Sequence, residues 1–314
     1  MLGVVIPCYR VRDSIGRVLS RIGPEVQNVY CVDDHCPENT GDYIERSIKD
    51  PRVQVLRHDA RKGVGGAMIT GYKKALLDKA DIIVKLDGDG QMDPAYIPLL
   101  TKPLLNGQAD YAKGNRFYQI EDLKQMPGIR LIGNAVLSFF SKISTGYWNI
   151  FDTTNGFTAI HSKVLALLPL EKISEGFFYE SDMLFRLNTL RAVVIDIPMK
   201  AIYGNESSNL KIVKILPEFF FKNIYNFIKR IFYVHFLRSF DLASLYLISG
   251  IPLFIFGFSY GLYRWIDCGR KGTTATAGTV MLAGLPLFIG IQFVLSFFHH
   301  DMQDTPRQPL HTRL

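Results

Sequence analysis

Cysteine is scarce in this chain. The four present, Cys8, Cys31, Cys36 and Cys268, form no Cys-x-x-Cys pair, which argues against a metal or disulfide role and for buried thiols in a reducing compartment. The opening residues MLGVVIPCYR lack the charged region, long apolar stretch and cleavage site of a signal peptide, so they read as a first strand. Charge is thin as well. Asp, Glu, Lys and Arg make up 21% of 314 residues against 48% hydrophobic, with a net charge of +7 and a mean hydropathy of +0.10. A chain of this length builds a substantial core, yet it is too apolar to be purely soluble, so one domain plus a membrane portion is expected. His58, His161 and His235 show no metal-ligand spacing and read as structural or interfacial.

Apolar sequence is concentrated late in the chain. Leu242–Tyr263 and Gly272–Phe298 contain no charged residue, and each meets the ~20 residues needed to cross the hydrocarbon. Both are apolar on every face and carry Gly and Pro, which membrane helices tolerate better than soluble ones. Two transmembrane helices are therefore expected at about 242–264 and 275–298, in a hairpin over 241–299 whose turn is WIDCGRKG or slightly longer. Lys211, Lys214, Lys222, Lys229, Arg230 and Arg238 precede the first span, whereas the turn holds Arg264, Arg270 and Lys271. The positive-inside bias places the N-terminal domain and the tail, 300–314, in the cytoplasm, at the inner face of a cytoplasmic membrane. Between domain and hairpin, 209–240 interleaves aromatic and basic residues, as in helices lying in the headgroup layer against anionic lipid, and Pro217 is expected to divide it into two helices. Nucleic-acid binding would not need two spans immediately afterwards. A hairpin anchor leaves lateral assembly into homo-oligomers open.

Residues 1–208 read as an α/β domain. LGVVIP, NVYCVDD, VQVLRH and DIIVKLD are short runs rich in β-branched residues, separated by segments of helical spacing, the pattern of a mostly parallel sheet with crossover helices. Ligands of such sheets sit beyond the carboxyl ends of the strands. Asp33 and Asp34 end one strand there, and VKLDGDGQMDP (84–94) sets Asp87, Asp89 and Asp93 after another. That loop is not an EF-hand, which would need Asp or Asn at Gln91 and Gly at Met92. KGVGGAM fails as a dinucleotide fingerprint, with Met68 where Gly or Ala is required. What remains is Asp-Gly-Asp, whose glycine lets two carboxylates converge on a cation, Mg2+ or Mn2+. Taken alone, such a turn is weak evidence for a metal site, since acidic surface turns are common and a solvated loop is the more frequent reading.

The ordered set VVIPCYR, VDDHCPENTGD, RKGVGGAMITGYKKAL, VKLDGDGQMDP, KGNRF and DTTNGFTAI resembles the family 2 glycosyltransferases, with their GT-A nucleotide-sugar fold. It covers roughly the first two thirds of the chain. With amphipathic helices and a C-terminal pair of spans, the arrangement resembles the polyprenyl-phosphate branch, dolichyl-phosphate mannose synthases and enzymes that glycosylate undecaprenyl phosphate. The resemblance implies that Pro7, Tyr9, Asp33, Asp34, Gly65, Asp87 and Gly88 bind the nucleotide sugar, a UDP- or GDP-sugar, and that Asp87, Asp89 and Gln91 hold the metal. Arg116, Arg130 and Asn134 would meet the acceptor phosphate, and Glu180 or Asp182 would be the catalytic carboxylate, with Asp89, Arg116 and Arg130 also catalytic. The family's VDDGSxDxT is VDDHCPENT here, and Asn115 replaces the Ser of Gly-Ser-Arg.

The expected reaction is inverting transfer of a single sugar to a polyprenyl phosphate. A phosphomonoester acceptor has a second pKa near ~6 and is largely dianionic at neutral pH, so no deprotonating residue is required. A processive polysaccharide synthase is the alternative enzyme, but its Q-x-x-R-W motif is lacking, since Arg264-Trp265 has Gly261 where Gln belongs. A silent membrane scaffold is a third reading, opposed by the intact Asp87, Asp89 and Gln91.

Overall fold

Alternate residues of the first strand face two different cores. β1 (Leu2–Cys8) turns Val4, Ile6 and Cys8 to one side and Val5 to the other, as the period of two requires. The computed structural model describes residues 1–118, 128–200 and 212–314, without the side chains of 128–132, 134 and 212–216. β2 (Asn28–Asp33), β3 (Val53–Arg57), β4 (Ile82–Lys85), β5 (Tyr111–Asn115), β6 (Thr158–His161) and β7 (Val194–Pro198) complete a seven-stranded sheet of order β3-β2-β1-β4-β6-β5-β7. β6 runs antiparallel to β4 and β5, and the other four pairings are parallel. Helices Arg12–Ser20, Thr40–Ser47 and Ile97–Leu105 cover one face through Ile15, Val18, Ile44 and Leu100. Helices Gly63–Leu77 and Tyr179–Thr189 cover the other through Ala67, Met68, Tyr72 and Met183.

Register decides what meets at the sheet edge. Cys8 pairs with Asp33 and Val5 with Lys85, so the ends of β1, β2 and β4 bring Tyr9, Asp34 and Asp87 out on one side. The reversal of strand order at β1 and β4 makes this the crevice where α/β sheets bind ligands. Cys8, Cys31 and Cys36 are free and buried.

The chain forms two compact units, Met1–Phe227 with Pro306–Leu314, and Ile228–Thr305. Helix Ile212–Ile231 is continuous, so Pro217 does not divide it as expected. Tertiary packing outweighs the lost hydrogen bond in this early turn: Asn223 is bonded to Ser144 at 2.5 Å, and Phe219 and Phe220 make edge contacts with Phe178 and Phe140. The tail is tied into the first unit by Asp110, whose carboxylate accepts from the Leu310 and His311 amides at 2.8 Å each, from the Val193 amide at 2.7 Å, and contacts His311 Nδ1 at 2.7 Å. The His311 ring stacks on His161 with centroids 4.2 Å apart.

In the second unit, Leu242–Lys271 and Ala277–Gln303 are each long and apolar enough to cross a membrane. The expected turn WIDCGRKG is helical up to Lys271. Asp267 pairs with Arg264 at 3.4 Å and Lys271 at 2.9 Å, and the helix ends where Gly272 takes φ 61°, which leaves 272–276 as the connection. The two helices approach closely along small residues. A Cβ at Gly257 would lie 2.5 Å from Leu287 N and one at Gly290 2.5 Å from Phe254 N.

Candidate active site

β4 delivers a lysine before its carboxylates. Lys85 is fully buried, with Nζ 2.7 Å from Asp87 Oδ1 and 3.5 Å from Glu180 Oε1. Burial would lower its ammonium, but the charges of Asp87 and Glu180 and the hydrogen bond to Asp87 outweigh it and hold the group above the usual lysine range. Asp87 and Glu180 side chains are 30% and 13% exposed, so both reach the crevice from a buried counter-charge. Gly156 in DTTNGF stands against them. A Cβ there would run into the Lys85 ammonium and lie 2.7 Å from Asp87 Oδ2. Asp89 follows in the turn, its Oδ1 accepting the Gln91 amide at 2.9 Å, while Gly90 supplies φ 81°. Gly88 is buried, its carbonyl held by the Ser14 hydroxyl at 2.6 Å, and the Gln91 side chain is exposed.

The aspartates after β2 organise loops. Asp33 accepts the amides of Cys36 and Gly41, each at 2.7 Å. Asp34 accepts the amides of Lys62 and Gly63, each at 2.7 Å, and contacts His58 Nδ1 at 2.8 Å, whose Nε2 meets Thr70. The Asp34 contacts to Lys62 and Gly63 fix the loop that carries Arg61, whose guanidinium lies 4.0 Å over the Tyr9 ring. Pro7 and Tyr9 are half-buried at the end of β1. Gly65 packs under the loop 174–176: its amide donates to the Glu175 carbonyl at 2.8 Å, and any Cβ would strike Ser174 O.

The two candidate carboxylates on helix Tyr179–Thr189 separate. Glu180 faces Lys85, whereas Asp182 is buried among Ser174 N at 2.9 Å, Arg186 Nε at 3.0 Å and Asn226 Nδ2 at 3.4 Å. Arg116, at the end of β5, makes a two-point pair with wholly buried Asp152, Nε to Oδ2 at 2.7 Å and Nη2 to Oδ1 at 3.0 Å. Asn115 beside it donates to Asp196 at 3.0 Å, a carboxyl that burial pushes up to about 6. Arg130 and Asn134 fall in helix Gly128–Thr145, and their side chains lie outside the described residues.

Sequence reasoning missed Lys85, Asp152, Gly156 and Lys113. Thr158 of β6 pairs with both Lys85 and Lys113, so two buried lysines flank one residue, and burial pushes Lys113 down to about 8. A lysine inside the apolar run IIVKL was the available signal for Lys85.

Residues 3–168 match the profile of glycosyl transferase family 2. The chain is 28% identical over 221 residues to the UDP-N-acetylglucosamine–dolichyl-phosphate N-acetylglucosaminyltransferase of Methanococcus voltae, covering 66% of this chain and 88% of that one. It is 31% identical over 199 residues to the undecaprenyl-phosphate mannosyltransferase of Micrococcus luteus, covering 62% and 81%. Among solved structures, glucosyl-3-phosphoglycerate synthase from Mycobacterium tuberculosis, in complex with Mn2+, UDP and glucosyl-3-phosphoglycerate, superposes with a TM-score of 0.55 at 17% identity over 73% of this chain and 79% of that one. The likeness is one of fold, GT-A.

Proposed function

The chain belongs to glycosyl transferase family 2, and on that premise we propose that it transfers one sugar, with inversion, from a nucleotide diphosphate sugar to a polyprenyl phosphate at the cytoplasmic face of a membrane. One observation carries this reading: the two relatives named above differ in their sugar and share a polyprenyl-phosphate acceptor, undecaprenyl or dolichyl phosphate. The two helices long enough to cross a membrane agree with a lipid substrate.

Asp87, Asp89 and the Gln91 amide oxygen would hold Mg2+ or Mn2+. Hard oxygen donors suit these ions, and the missing side chain at Gly156 keeps space open at Asp87 Oδ2. Once bound, such a cation supplies positive charge to a departing diphosphate. Lys85 offsets the repulsion between Asp87 and Glu180, which lets two carboxylates share one crevice. Glu180 orients the sugar or the attacking phosphate, while Asp182 holds loop 174–176 over Gly65. Pro7, Tyr9 and Gly88 line the nucleotide side, with Asp33 and Asp34 shaping it through their loops. Arg116, fixed in direction by Asp152, joins Arg130 and Asn134 at the acceptor phosphate, where a planar guanidinium pairs with two oxygens.

The hairpin reading gains support from the tail. The chain leaves the first unit after Phe227 and rejoins it at Pro306, so the intervening segment must cross a bilayer an even number of times or not at all. The lysines and arginines that precede the first apolar helix favour a first unit on the cytoplasmic side.

Purified full-length protein, given radiolabelled UDP- and GDP-sugars with a panel of polyprenyl phosphates, should move one sugar into the lipid fraction. Transfer to soluble acceptors or polymer alone, with none to any polyprenyl phosphate, would overturn the proposal.

A further inference from the structure

The second unit contains polar residues that sugar transfer does not use. His235, in the π-helical turn Phe232–Arg238, is fully buried, with Nδ1 3.4 Å from Asp241 Oδ2 and Nε2 3.2 Å from Asp301 Oδ1. Asp301 is also buried and takes both guanidinium nitrogens of Arg230, at 2.6 and 2.9 Å. The Asp301 charge is thereby matched, and its remaining capacity suits a proton donated by His235 Nε2. In the neutral ring Nδ1 is then a lone pair facing a carboxylate oxygen. Two acceptors 3.4 Å apart need a proton or a cation between them.

A third donor lies beside them. His300 Nδ1 is buried and has no hydrogen-bond partner among the described residues, and its ring centroid is 6.2 Å from that of His235. One donor atom from each of His235, Asp241 and His300 falls within 4.8 Å of the others. Asp241 spends its Oδ1 on capping helix Leu242–Lys271, at 3.0 Å from Ala243 N and 3.3 Å from Ser244 N, which directs Oδ2 to His235. A carboxylate that orients a histidine through the far ring nitrogen is the support metal-bound imidazoles use, and Asp301 provides it here.

The geometry points to a divalent-cation site of the zinc class built from His235 Nδ1, Asp241 Oδ2 and His300, with a water in the fourth position. Two imidazoles and one carboxylate suit Zn2+ far better than Mg2+ or Ca2+. Donors around zinc sit about 3.4 Å apart for bond lengths near 2.0–2.1 Å, so His300 must close in, and its Nδ1 has no hydrogen bond among the described residues to break. A groove of about 450 Å³ lined by Leu242, Tyr246, Ser296, His299 and His300 gives the ion a way in. The bound ion would fasten the π-helical turn, the start of one apolar helix and the end of the other. It is separate from the oxygen-donor site at Asp87 and Asp89.

The test uses full-length, tag-free protein in detergent, stripped with EDTA and titrated with Co2+ as a spectroscopic substitute for Zn2+, in an Asp89→Asn background that weakens the strand-end site. One Co2+ per chain should bind with the intense visible absorption of a four-coordinate site, displaced by Zn2+ and not by Mg2+. His300→Ala should weaken binding at least tenfold, whereas His299→Ala should not. Zn2+ should raise Tm in the parent protein and leave His300→Ala unmoved, while both melt alike without metal, which separates a lost ligand from a damaged fold. Absence of the visible band from folded protein would show that a proton alone bridges His235 and Asp241, and survival of the band in the His235→Ala/His300→Ala double variant would show that the metal binds elsewhere; either result would overturn the site. Loss of sugar transfer has no bearing on either outcome.

Discussion

Lys85 Nζ donates to Asp87 Oδ1 at 2.7 Å from a position with 1% of its side chain exposed, so the first carboxylate of the Asp-Gly-Asp turn is anchored from behind by a buried cation. Removing one partner of such a pair leaves the other charge uncompensated, at a cost of about 3 kcal/mol. Lys85→Met should therefore lower Tm by roughly 6–12 °C for a domain of this size and abolish transfer. Adding Glu180→Gln to Lys85→Met should recover part of the stability, since one of the stranded charges is then gone. A Lys85→Met protein as stable and active as the parent would remove the anchor from the account.

The oxygen-donor site is tested by charge rather than shape. Asp89→Asn keeps the side-chain volume and removes the anion, so turnover should fall at least about a hundredfold, the scale for losing charge stabilisation in the transition state. Activity should vanish in EDTA and return with Mg2+ or Mn2+. Full activity in chelator would sink the metal assignment.

Much of this was legible in the sequence, and for identifiable reasons. The strands β1 to β4 announce themselves by β-branched runs, and the carboxylates after β2 and β4 by lying where a parallel sheet binds ligands. What stayed hidden depends on contacts between distant residues. Lys85 owes its burial partly to Glu180, and Arg116 its direction to Asp152. The split between Glu180 and Asp182 follows from which face of one helix meets the crevice. Pro217 misled because local propensity yields where a helix is held by packing. Nothing in the spacing of His235, Asp241 and His300 brings them together until the two apolar helices fold back on each other.

The close helix contact at Gly257 makes a separate prediction. Its missing side chain lets the Leu287 backbone approach, so Gly257→Leu must push the helices apart. The full chain should lose thermal stability in detergent, while Gly278→Leu, which meets nothing within 4 Å, should not. Equal stability for the two variants would show that the hairpin contact contributes nothing measurable.

Topology can be read by thiol labelling. Cys8, Cys31 and Cys36 are buried, so a Cys268→Ser background suffices. A cysteine at Thr274, in the connection between the apolar helices, should react with an impermeant reagent outside intact cells, and one at Leu314 should not. The reverse pattern would invert the proposed orientation, and labelling of neither would leave the helices on the membrane rather than across it.

The docked tail adds a pH dependence of definite sign. His161 stacks on His311, and burial, followed by the charges of His311 and Lys163, pushes its pKa down to about 4 from the ordinary 6.5. Below pH 6.5 the unfolded chain takes up a proton at His161 that the folded chain refuses until the pH approaches 4, so the unfolded state binds more protons across this window. Stability contributed by His161 is therefore lost as pH falls from 6.5 towards 4, with a slope of at most about one proton because the ring is partly exposed. His161→Phe keeps a ring against His311 and removes the titrating site. Thermal unfolding of the full chain between pH 4 and 7 should show a shallower decline in the variant than in the parent. Parallel curves would mean that protonation of His161 is not what loosens the tail.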